Sequence, residues 1–131
     1  MSKTILLLFG IVGLMGCNES QRVVPTRMTD RATLEALYQD IYAFTEDRSC
    51  QDPAECAALP LGSSACGGPW SYLVYSRSTV NETELLAMTL HLAAYETLYQ
   101  QESRVLAPCV IAPSPSPECV NGACIDTSQP Q

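Results

Sequence analysis

Positive charge is the scarcest feature of this sequence. Lys3 is the only lysine and His91 the only histidine among 131 residues, which carry seven basic and 14 acidic side chains in all. This surplus of negative charge argues against electrostatic binding to nucleic acid or to an anionic membrane surface. The sequence also has no CxxC pair and no run of clustered acids, so it lacks the usual zinc and cation ligand patterns. We therefore expect no nucleic-acid partner, no metal and no cofactor.

The single histidine also weighs against an enzyme. His91 stands in a helical stretch between Leu90 and Leu92, and no serine or cysteine lies three or four positions away to form a nucleophile–base pair. A surface histidine is the simpler interpretation. Because no other acid–base or nucleophile set can be assembled from the residue types present, we predict a protein without catalytic residues.

Long apolar runs are equally scarce, and the only one opens the chain. Residues 4–15 carry no charge and follow Lys3. The run has the basic start and small-residue ending of an export signal, and it is about half of the roughly 20 residues that a membrane-spanning helix needs. We expect residues 1–16 to be a signal peptide that is removed and takes no part in the fold.

The end of this run, Leu14-Met15-Gly16-Cys17, resembles the lipobox of bacterial lipoproteins. The resemblance implies that the Cys17 thiol receives a diacylglyceryl group and that the chain is cut before this residue. Stable anchoring in a bilayer takes more than one acyl chain. The residue after Cys17 is Asn18, which by the same resemblance implies that the lipoprotein is sorted to the outer membrane, facing the periplasm or the surface. The expected contacts are therefore the membrane, through the lipid on Cys17, and an envelope protein.

The seven cysteines form an odd set, and Cys17 accounts for the odd member. In an exported domain the remaining even set predicts a disulfide framework of three bridges. Its members are Cys50, Cys56, Cys66, Cys109, Cys119 and Cys124. The spacing leaves fifteen pairings open. We weakly prefer a Cys119–Cys124 bridge, because Asn121-Gly122 predicts a two-residue hairpin turn that sets these two directly opposite. The alternative joins both of them to earlier cysteines.

Residues 29–126 carry the signals of one α+β domain, between a lipidated polar tether at 17–28 and a polar tail at 127–131. Apolar residues spaced three and four apart predict a first helix from Thr29 to Glu46, capped by Thr29 or Asp30. Two extended segments should then meet near residues 62–64. The second of these, Trp70–Ser76, has the clearest strand composition.

A second helix is predicted over residues 79–104. Thr79 and Glu82 have the spacing of a capping box at its start. We expect its apolar stripe to pack on the sheet, so that two helices cover a short antiparallel sheet. The stripe comprises Leu85, Met88, Leu92, Tyr95 and Tyr99, widened by Leu86 and Leu98.

The strand Cys66-Gly-Gly-Pro-Trp-Ser-Tyr-Leu-Val-Tyr-Ser76 and the ending Cys119-Val-Asn-Gly-Ala-Cys124 resemble a group of small six-cysteine bacterial lipoproteins. The resemblance covers about residues 50–126. It implies a disulfide-stapled fold and brings no activity with it.

Two kinds of non-catalytic function then remain. The favoured one is an envelope lipoprotein that binds or supports another envelope component. The alternative is an inhibitor-type module that presents a disulfide-held loop, such as Cys50–Cys66 with Pro60-Leu61 near its tip, to a protease or lysozyme. The glycines of Cys66-Gly67-Gly68-Pro69 permit an anion- or peptide-binding loop, but a tight turn beside a disulfide is the favoured interpretation.

Overall fold

The computed structural model describes residues 27–104 and 106–128. The predicted signal peptide, the acylated Cys17, most of the tether and residues 129–131 lie outside the described residues. The elements are α1 (Arg31–Phe44), β1 (Cys56–Leu61), β2 (Ser71–Ser76), α2 (Glu82–Ser103), β3 (Pro117–Val120) and β4 (Ala123–Asp126). This is the mixed α+β order that the sequence predicts. Neither of the two described α-helices is long and apolar enough to cross a membrane.

Helix α1 is capped by Asp30, one of the two predicted candidates. The Asp30 carboxylate accepts the Thr33 N–H at 2.9 Å, which satisfies one of the free donors of the first turn. The helix ends at Phe44, where the Thr45 N–H donates to the Ile41 carbonyl. The predicted helix was therefore about two residues too long at each end.

The cap of α2 lies two residues later than predicted. Asn81 is the cap, and its side chain accepts the Glu84 N–H at 3.2 Å. The predicted capping box is wrong because tertiary contacts use both of its members. The Thr79 hydroxyl donates to the Asp47 carbonyl, and the Glu82 carboxylate accepts the Tyr75 hydroxyl.

The two helices run antiparallel. The Asp30 N–H at the start of α1 donates to the Tyr95 hydroxyl at 2.9 Å, and the Thr29 N–H donates to Glu102 at 3.0 Å. The N-terminus of α1 therefore lies beside the C-terminal part of α2.

Two small antiparallel sheets replace the single sheet that the sequence predicts. Strands β1 and β2 pair in register from Cys56 opposite Ser76 to Leu61 opposite Ser71. Strands β3 and β4 form a hairpin that closes on Asn121-Gly122, both at positive φ. These φ values are those of a type I′ turn, so the predicted hairpin is confirmed.

The β1–β2 sheet is the middle of three layers, because successive side chains of a strand point to opposite faces. One face meets the helices in a core with Ile41, Leu85 and Leu92. The sheet residues in this core are Ala57, Leu59, Leu61, Leu73 and Tyr75. The other face meets the β3–β4 hairpin in a smaller cluster made of Cys56, Ala58 and Val74 with Cys50, Cys119 and Cys124.

All six predicted cysteines are paired, but the preferred bridge is wrong. The bridges are Cys50–Cys119, Cys56–Cys124 and Cys66–Cys109, with Cα–Cα distances of 6.0, 5.4 and 5.5 Å. Cys119 and Cys124 do lie directly opposite each other in the hairpin. They bond elsewhere because the hairpin packs against Cys56 of β1 and against Cys50 in the segment before β1, and the Cys50 N–H donates to the Gly122 carbonyl. These two bridges therefore hold a hairpin that buries little apolar surface of its own.

The buried stripe of α2 also differs from the predicted one. Its fully or nearly buried positions are Leu85, Thr89, Leu92 and Glu96. Met88 is half-buried as expected, while Leu86 is exposed. The stripe thus turns away from Tyr95 and Tyr99 and brings a carboxylate, Glu96, into the interior.

Candidate binding site

Glu96 is a buried carboxylate that binds the loop between β1 and β2. Its Oε2 accepts the Tyr38 hydroxyl at 2.9 Å and the Ser63 N–H at 2.7 Å. Its Oε1 accepts the Trp70 indole N–H at 3.0 Å. Within residues 27–104 and 106–128, no arginine or lysine forms an ion pair with it. Neutral donors from α1 and from the loop therefore hold this charge in place.

Gly62 makes this arrangement sterically feasible. Its φ is +76°, a conformation that side chains rarely adopt. A Cβ added there would lie 2.7 Å from Glu96 Oε2 and 2.9 Å from Trp70 Cδ1, and closer still to the Tyr38 hydroxyl. The chain can approach the carboxylate so closely only because residue 62 has no side chain.

The Glu96 contact is structural rather than catalytic. Burial, followed by the negative charge of Glu96, raises the pKa of Tyr38 well above its ordinary value, so the hydroxyl remains a donor. The carboxylate oxygens are occupied by three donors at ordinary hydrogen-bond distances. A carboxylate so enclosed positions the loop and is not free to take a proton from a substrate.

The Cys66–Pro69 segment is a tight turn, as the favoured interpretation predicts. Gly67 and Gly68 have φ values of +88° and +80°. The Ser64 N–H donates to the Gly68 carbonyl at 2.8 Å, and the Gly67 N–H donates to the Ser64 carbonyl at 2.9 Å. Because these N–H groups are paired inside the turn, they do not form an anion-binding site.

A cleft of about 480 Å³ opens where the three layers meet. Its size is in the range of ligand sites in proteins. It lies between the C-terminal end of α1, one edge of β2 and the end of β4. It is lined by Tyr42, Thr45, Glu46, Arg48, Tyr72, Leu73, Val74 and Asp126. We call it the β2-edge cleft.

The floor of the β2-edge cleft is an unpaired strand edge. The Arg77 N–H donates to the Glu55 carbonyl at 2.7 Å, which sets the alternation of hydrogen bonds along the antiparallel pair. Leu73 then bonds towards β1, while the main-chain groups of Tyr72 and Val74 point the opposite way. In the part of the chain that the structure describes, no strand pairs with that edge. Such an edge is a template for one more strand.

Arg48 is the only cation among the described residues that line the cleft. Its carbonyl accepts the Cys124 N–H at 2.8 Å, which fixes its main chain to the hairpin. Its guanidinium has no ion-pair partner among the described residues. The two acids of the rim differ from each other. Hydrogen bonds from the Ser116 N–H and from Ser128 lower the pKa of Asp126 and occupy its Oδ1, whereas no donor among the described residues bonds to the Glu46 carboxylate.

The apolar part of the rim is aromatic. The Tyr42 side chain is 46% exposed, and its ring centroid lies 6.3 Å from that of Tyr38. Tyr72 projects from the hairpin face of β2, on the side away from the helices. Two tyrosines, one from α1 and one from β2, therefore border the unpaired edge.

The residues singled out in the sequence lie elsewhere. His91 is exposed on α2 and does not line the cleft. The proposed inhibitory loop does not form, because Cys50 pairs with Cys119, and Leu61 is buried within β1. Glu96 and Arg48 were not predicted from the sequence. A stripe at 85, 89, 92 and 96 has helical spacing, so a glutamate at its fourth position was the available signal for a buried carboxylate.

Metal binding is not favoured by the cysteine cluster. The sulfur atoms of Cys50, Cys56 and Cys124 lie within 4.8 Å of one another. Each of them is consumed in a disulfide, and a metal ligand must be a thiolate.

Comparison of the chain with protein-family models, curated proteins and solved structures finds no match.

Proposed function

We propose that the protein is a lipid-anchored bacterial envelope lipoprotein without a catalytic role, which binds an extended segment of another envelope polypeptide in the β2-edge cleft. The observation that carries the proposal is the unpaired edge of β2 at the floor of a cleft of about 480 Å³. The lipobox-like sequence that ends at Cys17 supports the anchor.

Strand addition supplies the affinity in this proposal. The outward N–H and C=O groups of Tyr72 and Val74 would pair with the main chain of the incoming segment. Side chains on alternate positions of the segment would then meet the two walls of the cleft.

The charges of the cleft restrict the partner. Arg48 favours a carboxylate on the segment, supplied by an acidic side chain or by a C-terminus. Glu46 and Asp126 disfavour a second negative group nearby. The faces of Tyr42 and Tyr72 favour an apolar side chain beside the carboxylate. The expected partner is therefore an extended, mostly apolar segment with a single negative charge near Arg48.

The scaffold supports binding because it holds β2 from both faces. Cys56–Cys124 fixes the hairpin layer to the sheet, and Glu96 fixes the loop that leads into β2 to the helices. A strand held in this way loses little freedom when a partner binds, which favours affinity.

Absence of catalysis is supported by the composition of the cleft. Among the described residues, its lining contains no histidine, cysteine, serine or lysine. Of its two carboxylates, Asp126 already accepts donors from both sides of its hairpin at Oδ1. These residues do not form the nucleophile–base pair that hydrolysis or group transfer requires.

Site-specific photocrosslinking in the envelope tests the proposal. Tyr42, and separately Leu90 as an exposed control outside the cleft, is replaced by p-benzoylphenylalanine. We expect one crosslinked protein from position 42, joined through an extended segment that contains a carboxylate. Arg48→Glu should abolish that crosslink, whereas Arg48→Lys should retain most of it because the charge remains.

Hydrogen exchange of the purified complex provides the second readout. Binding by strand addition should slow exchange of the Tyr72 and Val74 amides, which point into the cleft. A crosslink that is equally strong from position 90, or a complex in which these two amides exchange as in the free protein, would contradict the proposal.

A further inference from the structure

The chain joins the domain at the C-terminal end of α2. The Met28 N–H donates to Glu102 Oε1 at 3.1 Å, and the Thr29 N–H donates to Glu102 Oε2 at 3.0 Å. The Thr29 hydroxyl donates to the same carboxylate. Any tether that precedes Arg27 therefore starts beside the last turn of α2.

Large apolar side chains are exposed at this same end of the molecule. Leu106 is 100% exposed, Ile111 is 93% exposed and Val110 is 57% exposed, while Met28 at the tether is 73% exposed. We call these four residues the apolar end. Exposed apolar surface of this kind marks a site of interaction with protein or membrane.

The segment that carries most of the apolar end is anchored and uncharged. The Cys66–Cys109 bridge ties it to the β1–β2 loop. That loop is itself bound to α2, where the Gln100 side chain donates to the Ser63 carbonyl at 2.6 Å. Residues 106–116 contain no ionisable side chain except the bonded cysteine, in a chain with 14 acids.

Both signs of charge occur next to the apolar end. Arg27 and Arg104 are exposed in this region, which also holds the acids Glu102 and Asp30. Hydrogen bonds from Thr29 and Met28, together with the charge of Arg27, lower the pKa of Glu102, and hydrogen bonds from Thr33 lower the pKa of Asp30, so both acids are satisfied locally. After Lys3 the chain carries six arginines against 14 acids, a formal charge of −8. This end therefore lacks the acidic excess of the whole chain, which weakens its repulsion by anionic headgroups.

We propose that the apolar end rests in the headgroup region of the bilayer that holds the lipid on Cys17. This orientation depends on the lipid anchor of the proposed function. Arg27 is ten positions after Cys17, a stretch that spans at most about 35 Å when extended, so the anchor keeps this end close to the membrane. Apolar side chains then enter the boundary between headgroups and acyl chains, while the long arginine side chains reach the phosphates.

The orientation also places the β2-edge cleft away from the membrane. Helix α1 starts at the apolar end, and Tyr42 lies about three turns, or about 17 Å, further along it. A partner could therefore reach the cleft while the domain stands on the bilayer.

Depth-dependent fluorescence quenching of the lipidated, full-length gene product tests the proposal. The protein is reconstituted in vesicles of phosphatidylethanolamine and phosphatidylglycerol, with or without brominated acyl chains. Leu106→Trp places a reporter at the apolar end. Leu90→Trp is the matched control, because Leu90 is an exposed leucine (62%) of α2 outside that end. The parent protein provides the contribution of Trp70, which is subtracted.

We expect brominated lipid to quench the Leu106→Trp reporter at least about threefold more than the Leu90→Trp reporter, because only the former enters the interface. Equal quenching of the two reporters would overturn the orientation while leaving the anchor intact. A second protein copy covering the apolar end would give the same equal quenching. Failure of the parent protein to float with the vesicles would overturn the anchor, and the orientation with it.

Discussion

Removal of the Glu96 carboxylate should destabilise the domain more than any other single change of a polar side chain of α2. Glu96→Ala leaves the Tyr38 hydroxyl, the Ser63 N–H and the Trp70 indole N–H without their acceptor. A hydrogen bond to a charged group contributes about 1.5–3 kcal/mol, but three bonds to one side chain are not additive and the loop can open to water. We therefore expect a loss of about 2–4 kcal/mol in the free energy of unfolding.

Urea titration of the two proteins measures this loss, with Trp70 fluorescence reporting on the loop and far-ultraviolet circular dichroism on the helices. Gln101→Ala, at an exposed position of the same helix, is the control and should cost less than about 0.5 kcal/mol. Gly62→Ala tests the same contact from the loop side and should cost about 2 kcal/mol or more, since its Cβ meets the carboxylate at positive φ. Equal losses for Glu96→Ala and Gln101→Ala would refute the assignment of Glu96 as the residue that binds the loop.

Three further outcomes follow from the described contacts. Leu92→Ala should cost about 2–5 kcal/mol and His91→Ala under about 0.5 kcal/mol in a denaturant titration, because the leucine is fully buried and the histidine exposed; equal losses would mean that the buried face of α2 is wrong. Peptide mapping without reduction should join Cys119 to Cys50, and a bridge inside the hairpin would contradict the pairing. Because the pKa of Glu102 is lowered, its contacts stabilise the fold fully at pH values above its ordinary pKa of 4.5 and are lost as the pH falls through the lowered pKa. Amide exchange of the first described residues should accelerate in that acidic range, and a Glu102→Gln protein should show no such step.

Local signals in the sequence predicted the elements of this fold well. The Asn121-Gly122 turn, the Asp30 cap and the strand that ends at Ser76 each depend on a few neighbouring residues, and each is present. The predicted start of α2 was wrong because two candidate caps, Thr79 and Asn81, lie within a few positions of each other. The distant Asp47 carbonyl binds Thr79, which leaves Asn81 as the cap.

The disulfide pairing and the candidate site depend on how the layers stack. The hairpin register correctly sets Cys119 opposite Cys124, but it contains no information about the sheet beneath them. The β2-edge cleft likewise arises where α1, β2 and β4 meet, and Arg48 is conspicuous only once its guanidinium is seen without an acidic partner among the described residues. Contacts between elements far apart in the chain leave no short pattern in the sequence.

The most direct test of the account is the intact mass of the protein purified from bacterial membranes and alkylated without reduction. We expect loss of residues 1–16, added acyl and diacylglyceryl mass on Cys17, and no alkylated cysteine among the other six. A Cys17→Ser protein should carry no lipid mass and should leave the detergent phase. A parent protein with an alkylated Cys17, or with residues 1–16 still attached and no lipid, would contradict the central claim that this disulfide-bonded domain is held at the membrane by its N-terminal cysteine.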